Sequence, residues 1–447
     1  MTTIVDLETG APSTGHPFRA WDYLSLNIYW FALSFLWNSM GPILLPTLVP
    51  LLVPESQKGS ALGLLSALGL VIAIVVQPAA GAWSDSHVTR WGRRRPYIVG
   101  GTMLDVVFLL AMAFAPSYLM LLVAYLLLQF SSNIAHGAYQ GYIPELVPEA
   151  RRGAVSGMAR LLEIIGIIIT SLAAGELVGR GQILEAFIAI IFCLLFSMIL
   201  TAIFVNERPF DGAVGTDQQA AAHRTETPAH PLTEEAGLSG LLRAVFCSRD
   251  FTLWLISRLL ILLGGNLVRN YVLYFLGDVL GVENPAASVG TLLAVIAVAI
   301  AVVVYPSGAL SDRWGRKSLT VLSGLLGALG ALLLIAATNL TLVLVDGGLI
   351  GISLGIFLSV SWAWGTDLIP AEEGGRYLGV SNIATAGSGV LAGIGGFMLD
   401  YFNGRSHNLG YTALFLSAVI CYLLGTAIAI GVRDRKRRER AQSIAGT

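Results

Sequence analysis

The sequence predicts an all-α membrane protein: twelve transmembrane helices in two pseudo-symmetric six-helix bundles, with both termini in the cytoplasm. Three observations carry that reading. Of 447 residues, 55% are hydrophobic and only 12% charged, about half the charged share of a soluble domain. Twelve apolar runs are long enough to cross a bilayer core, which takes about 20 residues for about 30 Å. One short basic hairpin occurs twice, 227 residues apart: Gly81-Ala-Trp-Ser-Asp85 before Arg90-Trp-Gly-Arg-Arg-Arg95, and Gly308-Ala-Leu-Ser-Asp312 before Arg313-Trp-Gly-Arg-Lys317.

The first run, 24–53, carries Asn27, Tyr29, Trp30, Trp37 and Asn38, then Pro42, Pro46 and Pro50. A tilted or broken helix is expected there. Runs 60–82 and 97–115 flank the first hairpin, and Asp105 lies nine residues past Pro96. Run 117–140 holds Gln129, Asn133, His136 and Gln140, run 154–177 holds Arg160 and Glu163, and run 183–205 ends the first half. Residues 206–250 are polar and without an apolar period, a cytoplasmic linker between bundles 21–205 and 251–432. Run 251–276 carries Arg258 and Arg269 on nearly one face, with Asn266, Asn270, Tyr271 and Tyr274 crowding the outer end. Such a polar, aromatic stripe suits sugar hydroxyls and ring faces. Run 288–309 leads into the second hairpin, and 318–337 and 340–365 follow, the latter with Asp346, Ser361, Trp362 and Trp364. Runs 377–399 and 410–432 close the set between tails 1–20 and 433–447. Spacings such as Gly324-Leu-Leu-Gly327 and Gly393-Ile-Gly-Gly396 read as close helix packing.

All but six of the 27 Lys and Arg fall in cytoplasmic segments when the N-terminus is placed inside. Lys58, Arg180 and Arg405 lie outside, and Arg160, Arg258 and Arg269 lie within helices. That asymmetry orients the chain. Residues 1–20 lack a basic segment followed by an apolar one, so no cleavable signal is expected. Cys193, Cys247 and Cys421 have no metal or redox spacing. There is no phosphate-binding loop, metal-ligand spacing or nucleophile elbow. No enzyme activity, cofactor, metal or nucleic acid is therefore expected, and the chain is taken as a monomer in a cell (inner) membrane.

The hairpins have a physical logic. Gly81 and Gly308 let two helices approach, while Asp85 and Asp312 cap helix ends and pair with Arg90, Arg93, Arg94, Arg313 or Arg316. A second repeat, 222 residues apart, sets Glu145 with Arg152 against Asp367 with Arg376. These charges are expected to lock the two halves together on the cytoplasmic side and release them in a second state.

The duplicated motif resembles the cytoplasmic signature of the major facilitator superfamily over the whole chain, which implies a secondary transporter rocking about a mid-membrane site. The longer first form, Asp85-Ser-His-Val-Thr-Arg90-Trp-Gly-Arg-Arg-Arg-Pro96, resembles the glycoside-pentoside-hexuronide cation symporters, and especially their sucrose–proton branch. That branch carries in helix four an Asp, a pair of Asn, then Gln-Gly-Pro-x-Arg. Gln129 stands at the Asp, Asn133 at the second Asn, Gly137 at the Gly and Gln140 at the Arg. In the melibiose-permease branch the helix-four Asp aligns with His136, and a helix-five Arg with Arg160. His136 is then a sugar ligand, a titrating group with an ordinary pKa of about 6.5, or a satisfied helix-interface residue.

Intramembrane ionisable groups are functional candidates. Arg160 and Glu163 can pair at i and i+3; His136, Glu163 and Asp105 are the coupling candidates, and Arg258 reads as a cytoplasmic-edge charge. The implied function is transport of a sugar, a disaccharide such as sucrose or maltose, in symport with a proton or sodium ion. A proton-coupled exporter of amphipathic molecules and a non-transporting membrane protein are the alternatives.

Overall fold

A computed structural model describes residues 20–86, 89, 91–147, 149–205, 207, 249–368 and 374–433; the side chains of 20, 86, 144, 149, 150, 374–380, 382 and 383 lie outside the description. Among these residues twelve long helices carry the chain. They are α1 (Trp21–Leu52), α2 (Lys58–Ser86), α3 (Arg95–Ala113), α4 (Tyr118–Gln140), α5 (Glu149–Gly179) and α6 (Ile183–Phe204). The second half repeats them as α7 (Arg249–Asp278), α8 (Pro285–Trp314), α9 (Arg316–Ala336), α10 (Leu340–Leu368), α11 (Gly374–Asn403) and α12 (Leu409–Gly431). Among the described residues, eleven helices are long and apolar enough to cross a membrane; glycine-rich α11 completes the set.

The break expected in α1 is real and has a specific form. Ile28–Ser39 is α-helical, Met40–Leu44 is a π turn, and Leu45–Leu52 resumes the α-helix. Pro42 and Pro46 have no N–H to donate, so the ladder widens and Leu45 N–H reaches back to Met40 O. Asn38 and Ser39 stand just before the turn. Their side chains bond back to Ser34 O and Phe35 O at 2.9 and 2.8 Å.

The duplication governs the packing. In the first half α2 and α3 pack on α4, α1 on α5 and α6, and α3 on α6; in the second, α8 and α9 pack on α10, α7 on α11 and α12, and α9 on α12. The bundles meet through α2 against α11 and α5 against α8. Both crossings need bare backbone. A Cβ on Gly63 would run into Gly393 O, and one on Gly290 into Ser171 O. These contacts lie at the end away from the hairpins, the far end, from Gly59 and Gly396 inward to Leu70 and Gly389. Toward the hairpin end α5 exposes Arg151–Ala154, Gly157 and Arg160, and α8 exposes Val302 and Tyr305. Among the described residues the halves are thus closed at the far end and open toward the hairpins. Outward-facing side chains such as Val107, Phe192 and Ile203 form an exposed apolar surface, which suits lipid rather than water.

Candidate functional site

The polar groups at mid-height form one chain across both halves. Asn38 Nδ2 on α1 donates to Ser34 O and Oγ (2.9 and 3.3 Å), which leaves Oδ1 to accept from Arg269 Nη2 of α7 at 2.8 Å. Ser34 Oγ donates to Glu163 O of α5 at 3.0 Å, and the Glu163 carboxylate pairs with Arg160 Nη1 at 2.6 Å. Asn38 is placed by the wide turn that follows it. Ser34, which links α1 to α5, was not singled out in the sequence; a lone serine in an apolar run carries no periodic signal.

His136 on α4 is half-buried, 3.2 Å from Gln140 Nε2, with its ring edge-to-face with Trp30 at 5.1 Å. Gln140 is exposed beside it. Gln129 and Asn133 sit elsewhere. Both are buried; Asn133 Nδ2 donates to Gln129 O and Oε1 (2.7 and 3.1 Å), and Gln129 Nε2 to Tyr125 Oη at 2.8 Å, against Gly69 of α2. They satisfy one another inside the α2–α4 interface. Asn27 is also a joint: its amide donates to Tyr23 O and Val155 O (2.8 and 3.2 Å), tying α1 to α5. Asp105 is fully buried between α3 and α4, where Ser131 Oγ donates to it and Oδ2 has no partner among the described residues.

On α7, Asn266 donates to Ser388 Oγ at 3.0 Å, Asn270 is half-buried, and Tyr274 is buried with Lys58 Nζ 5.0 Å from its ring centre. Trp37 is half-buried against the core. Arg258 departs from its edge-charge reading. It is 6% exposed, held by Ser361 and Thr385 and ringed by Trp254, Phe357 and Trp362. Aromatic faces shelter the cation, a pairing hidden in sequence because the rings come from two helices.

Among the described residues, the ion pairs of each hairpin lie within its own half. Arg94, its side chain 8% exposed, donates Nε to Glu145 at 2.6 Å, Nη2 to Asp85 at 2.7 Å and Nη1 to Ala138 O at 3.2 Å; Arg93 lies 3.5 and 3.6 Å from the same two carboxylates. Glu207 accepts from the backbone N–H of Arg94 and Arg95 at 3.0 and 3.1 Å, capping α3, while Arg95 Nη2 donates to Val205 O at 2.6 Å. In the second half Arg316 Nε donates to Asp367 at 3.0 Å, Asp312 lies 4.0 Å away, and Lys317 Nζ donates to Val432 O at 3.0 Å. This second hairpin is compact because Gly315 alone, at φ 90°, joins α8 to α9. Arg152 Nε donates to Val147 O at 3.2 Å, and Arg313 is exposed. Arg90 and the Arg376 side chain lie outside the described residues. At Gly81 a Cβ would stand an ordinary 3.5 Å from Gly137 O; the tight approach is at Gly137, whose Cβ would strike Gln77 O. At Gly308 a Cβ would come within 3.0 Å of Ser359 Oγ.

Among the described residues, charged side chains join the two halves at the far end. Lys58 of α2, its side chain 7% exposed, pairs with Asp278 of α7 at 2.6 Å and with Glu55. Tyr411 also donates to Asp278. Asp400 of α11 accepts from the backbone N–H of Gly59 and Ser60 at 3.0 and 2.6 Å, so one half caps a helix of the other. These partners come from positions 220 and 341 residues apart, beyond any motif spacing.

Two packed bundles, a polar cluster between them and one shut end define a membrane carrier fold. The chain belongs to the Major Facilitator Superfamily, whose family model matches residues 22–393 and 284–446. It is similar to the minor myo-inositol transporter IolF of Bacillus subtilis (strain 168), 27% identical over 29% of each chain. It is similar also to the sucrose transport protein SUT1 of Oryza sativa subsp. japonica, 22% identical over 36% of each. The matched stretches thus span about a third of these relatives' length. The solved nucleoside transporter NupG superposes with a TM-score of 0.69 at 13% identity, covering 91% of this chain and 98% of that one. That likeness establishes the fold alone.

Proposed function

We propose that this chain carries a sugar, a glycoside and specifically a disaccharide such as sucrose or maltose, across the cell (inner) membrane by alternating access, as a monomer and in symport with a proton. The observation that carries this reading is the Arg269–Asn38 contact at 2.8 Å, which bridges the halves between a shut end and an open one. A site reached from one side at a time is what a rocking carrier requires. The basic hairpins put the open end in the cytoplasm by the positive-inside rule, so the state is inward-open. His136, beside Trp30 and Gln140, is the coupling group, with Glu163 and Asp105 as the other titratable candidates. Asn38, Arg160, Glu163, Asn266, Arg269, Asn270 and Trp362 contribute to the sugar site, and the similarity to inositol and sucrose transporters supports the polyol class. Radiolabelled sugar uptake into proteoliposomes under an imposed pH or sodium gradient checks it. Accumulation driven by the pH gradient is expected; no sugar uptake, together with proton-driven dye efflux, overturns it in favour of an exporter.

A further inference from the structure

The wide turn of α1 strips one backbone carbonyl of its helical donors inside the membrane span. In an unbroken α-helix Gly41 O accepts from Leu45 N–H, but here that group reaches back to Met40 O. The next donor along, which a π turn would use, belongs to residue 46, and Pro46 has no N–H. The Thr47 hydroxyl, close by in sequence, is spent on Ile43 O at 2.7 Å. A main-chain acceptor at membrane depth is tolerated only where water, protein or a ligand can supply the missing bond.

The position of Gly41 decides what can reach that oxygen. It follows Asn38 by three residues and Ser34 by seven, so the three share a helix face. By the helical rise it stands about 4.5 Å beyond Asn38 toward the far end. The turn packs among α5, α7 and α8, where the halves meet rather than against lipid. Gly41 is half-buried, and a Cβ there would have no described atom within 4 Å. The Asn38 side chain is already engaged, its amide on Ser34 and its Oδ1 on Arg269. Next to Asn38 the free groups are then the remaining guanidinium N–H donors of Arg269 and the Gly41 acceptor.

We propose that the Gly41 carbonyl is a sugar-binding group, which accepts a hydrogen bond from one hydroxyl of the cargo while Arg269 donates to another. The inference rests on the sugar-transport reading and adds a contact to it. A hydroxyl fits because it is a neutral donor; an ammonium or metal cation would be held beside the Arg269 guanidinium and repelled. Because a hydroxyl both donates and accepts, one sugar ring can serve the two unlike groups together.

A single backbone ester tests this. Placing lactic acid at position 42 by nonsense suppression turns Gly41 O into an ester carbonyl, a weaker acceptor, and removes no N–H because proline has none. Thermal-shift titrations of the purified full-length protein compare maltose and sucrose with their monodeoxy and monodeoxyfluoro analogues. Fluorine cannot donate, so the hydroxyl held by Gly41 O should lose as much on fluorination as on removal, about fivefold in the concentration required. In the ester protein the parent sugar should bind about threefold more weakly and that penalty should shrink to about twofold. Pro42→Ala, which removes the ring and keeps the amide, should retain the full penalty. Gly41→Leu fills the open side with a good helix former; it should abolish the sugar shift without lowering the melting temperature of the unliganded protein. A penalty undiminished in the ester protein, or a sugar shift unaltered by Gly41→Leu, overturns the proposal and leaves sugar transport standing. No shift with any sugar removes both.

Discussion

Lys58→Met should unlock the far end. The Lys58 ammonium sits 2.6 Å from Asp278 with side-chain exposures of 7% and 29%, and also pairs with Glu55. Removing one member of a fully buried pair costs about 3–5 kcal/mol. Asp278 still reaches water and keeps the Tyr411 hydroxyl, so a discounted figure of about 2 kcal/mol applies. When the far end opens, both groups enter water and their pairing contributes almost nothing. The loss therefore falls on the shut state, and about 2 kcal/mol moves the equilibrium about thirtyfold. An open population of about 1% then becomes about a quarter. Spin labels at Gln57 and Arg405, both exposed and on opposite halves, read this by dipolar spectroscopy once the three native cysteines are replaced. A second, longer distance is expected in Lys58→Met. A single distribution identical to the parent's would show that the pair does not bias the two states.

Other perturbations separate the gates from the site. His136→Gln should abolish uphill accumulation while leaving sugar counterflow; intact pH-driven accumulation removes His136 as the coupling group. Asp85→Asn should slow transport with near-normal expression, because Arg94 keeps Glu145 and Ala138 O; full activity would remove the hairpin's role in switching. Glu207→Gln removes the charge from the α3 cap and should lower the melting temperature by an amount matching about 1 kcal/mol, whereas an unchanged melting point places that cap outside the stability of the fold. Gly63→Leu should prevent α2 and α11 from meeting, leaving a cysteine at Ala67, which faces Gly393 across the crossing, open to an impermeant maleimide; protection equal to that of the same cysteine with Gly63 intact refutes the need for bare backbone there.

Legibility followed the range of the interaction. Helix positions, the wide break of α1 and the duplication were readable because apolar length, prolines and repeated motifs are local signals. The Arg160–Glu163 pair at i and i+3 was readable for the same reason. Arg269 stood out as a charge in an apolar run, but its partner Asn38, 231 residues away, did not follow from that. Gln129 and Asn133 matched a family site by alignment and yet bond to each other in a helix seam. The hairpin charges stood out in the sequence, but a motif lists residues without saying which half receives them. Lys58, Asp278 and Asp400 belong to no repeated motif, and only the closure of the two bundles brings them together.

The Asp400 contact also ties the state of the gate to an atomic reporter. Helix α2 begins with amide N–H groups that its own sequence leaves uncapped, and two of them, on Gly59 and Ser60, are covered by a carboxylate from the other bundle. The first turn of α2 is finished only while the far end is shut. Amide hydrogen exchange at those two residues consequently measures the lifetime of the shut state without any label, and a cargo that holds the far end closed will slow it.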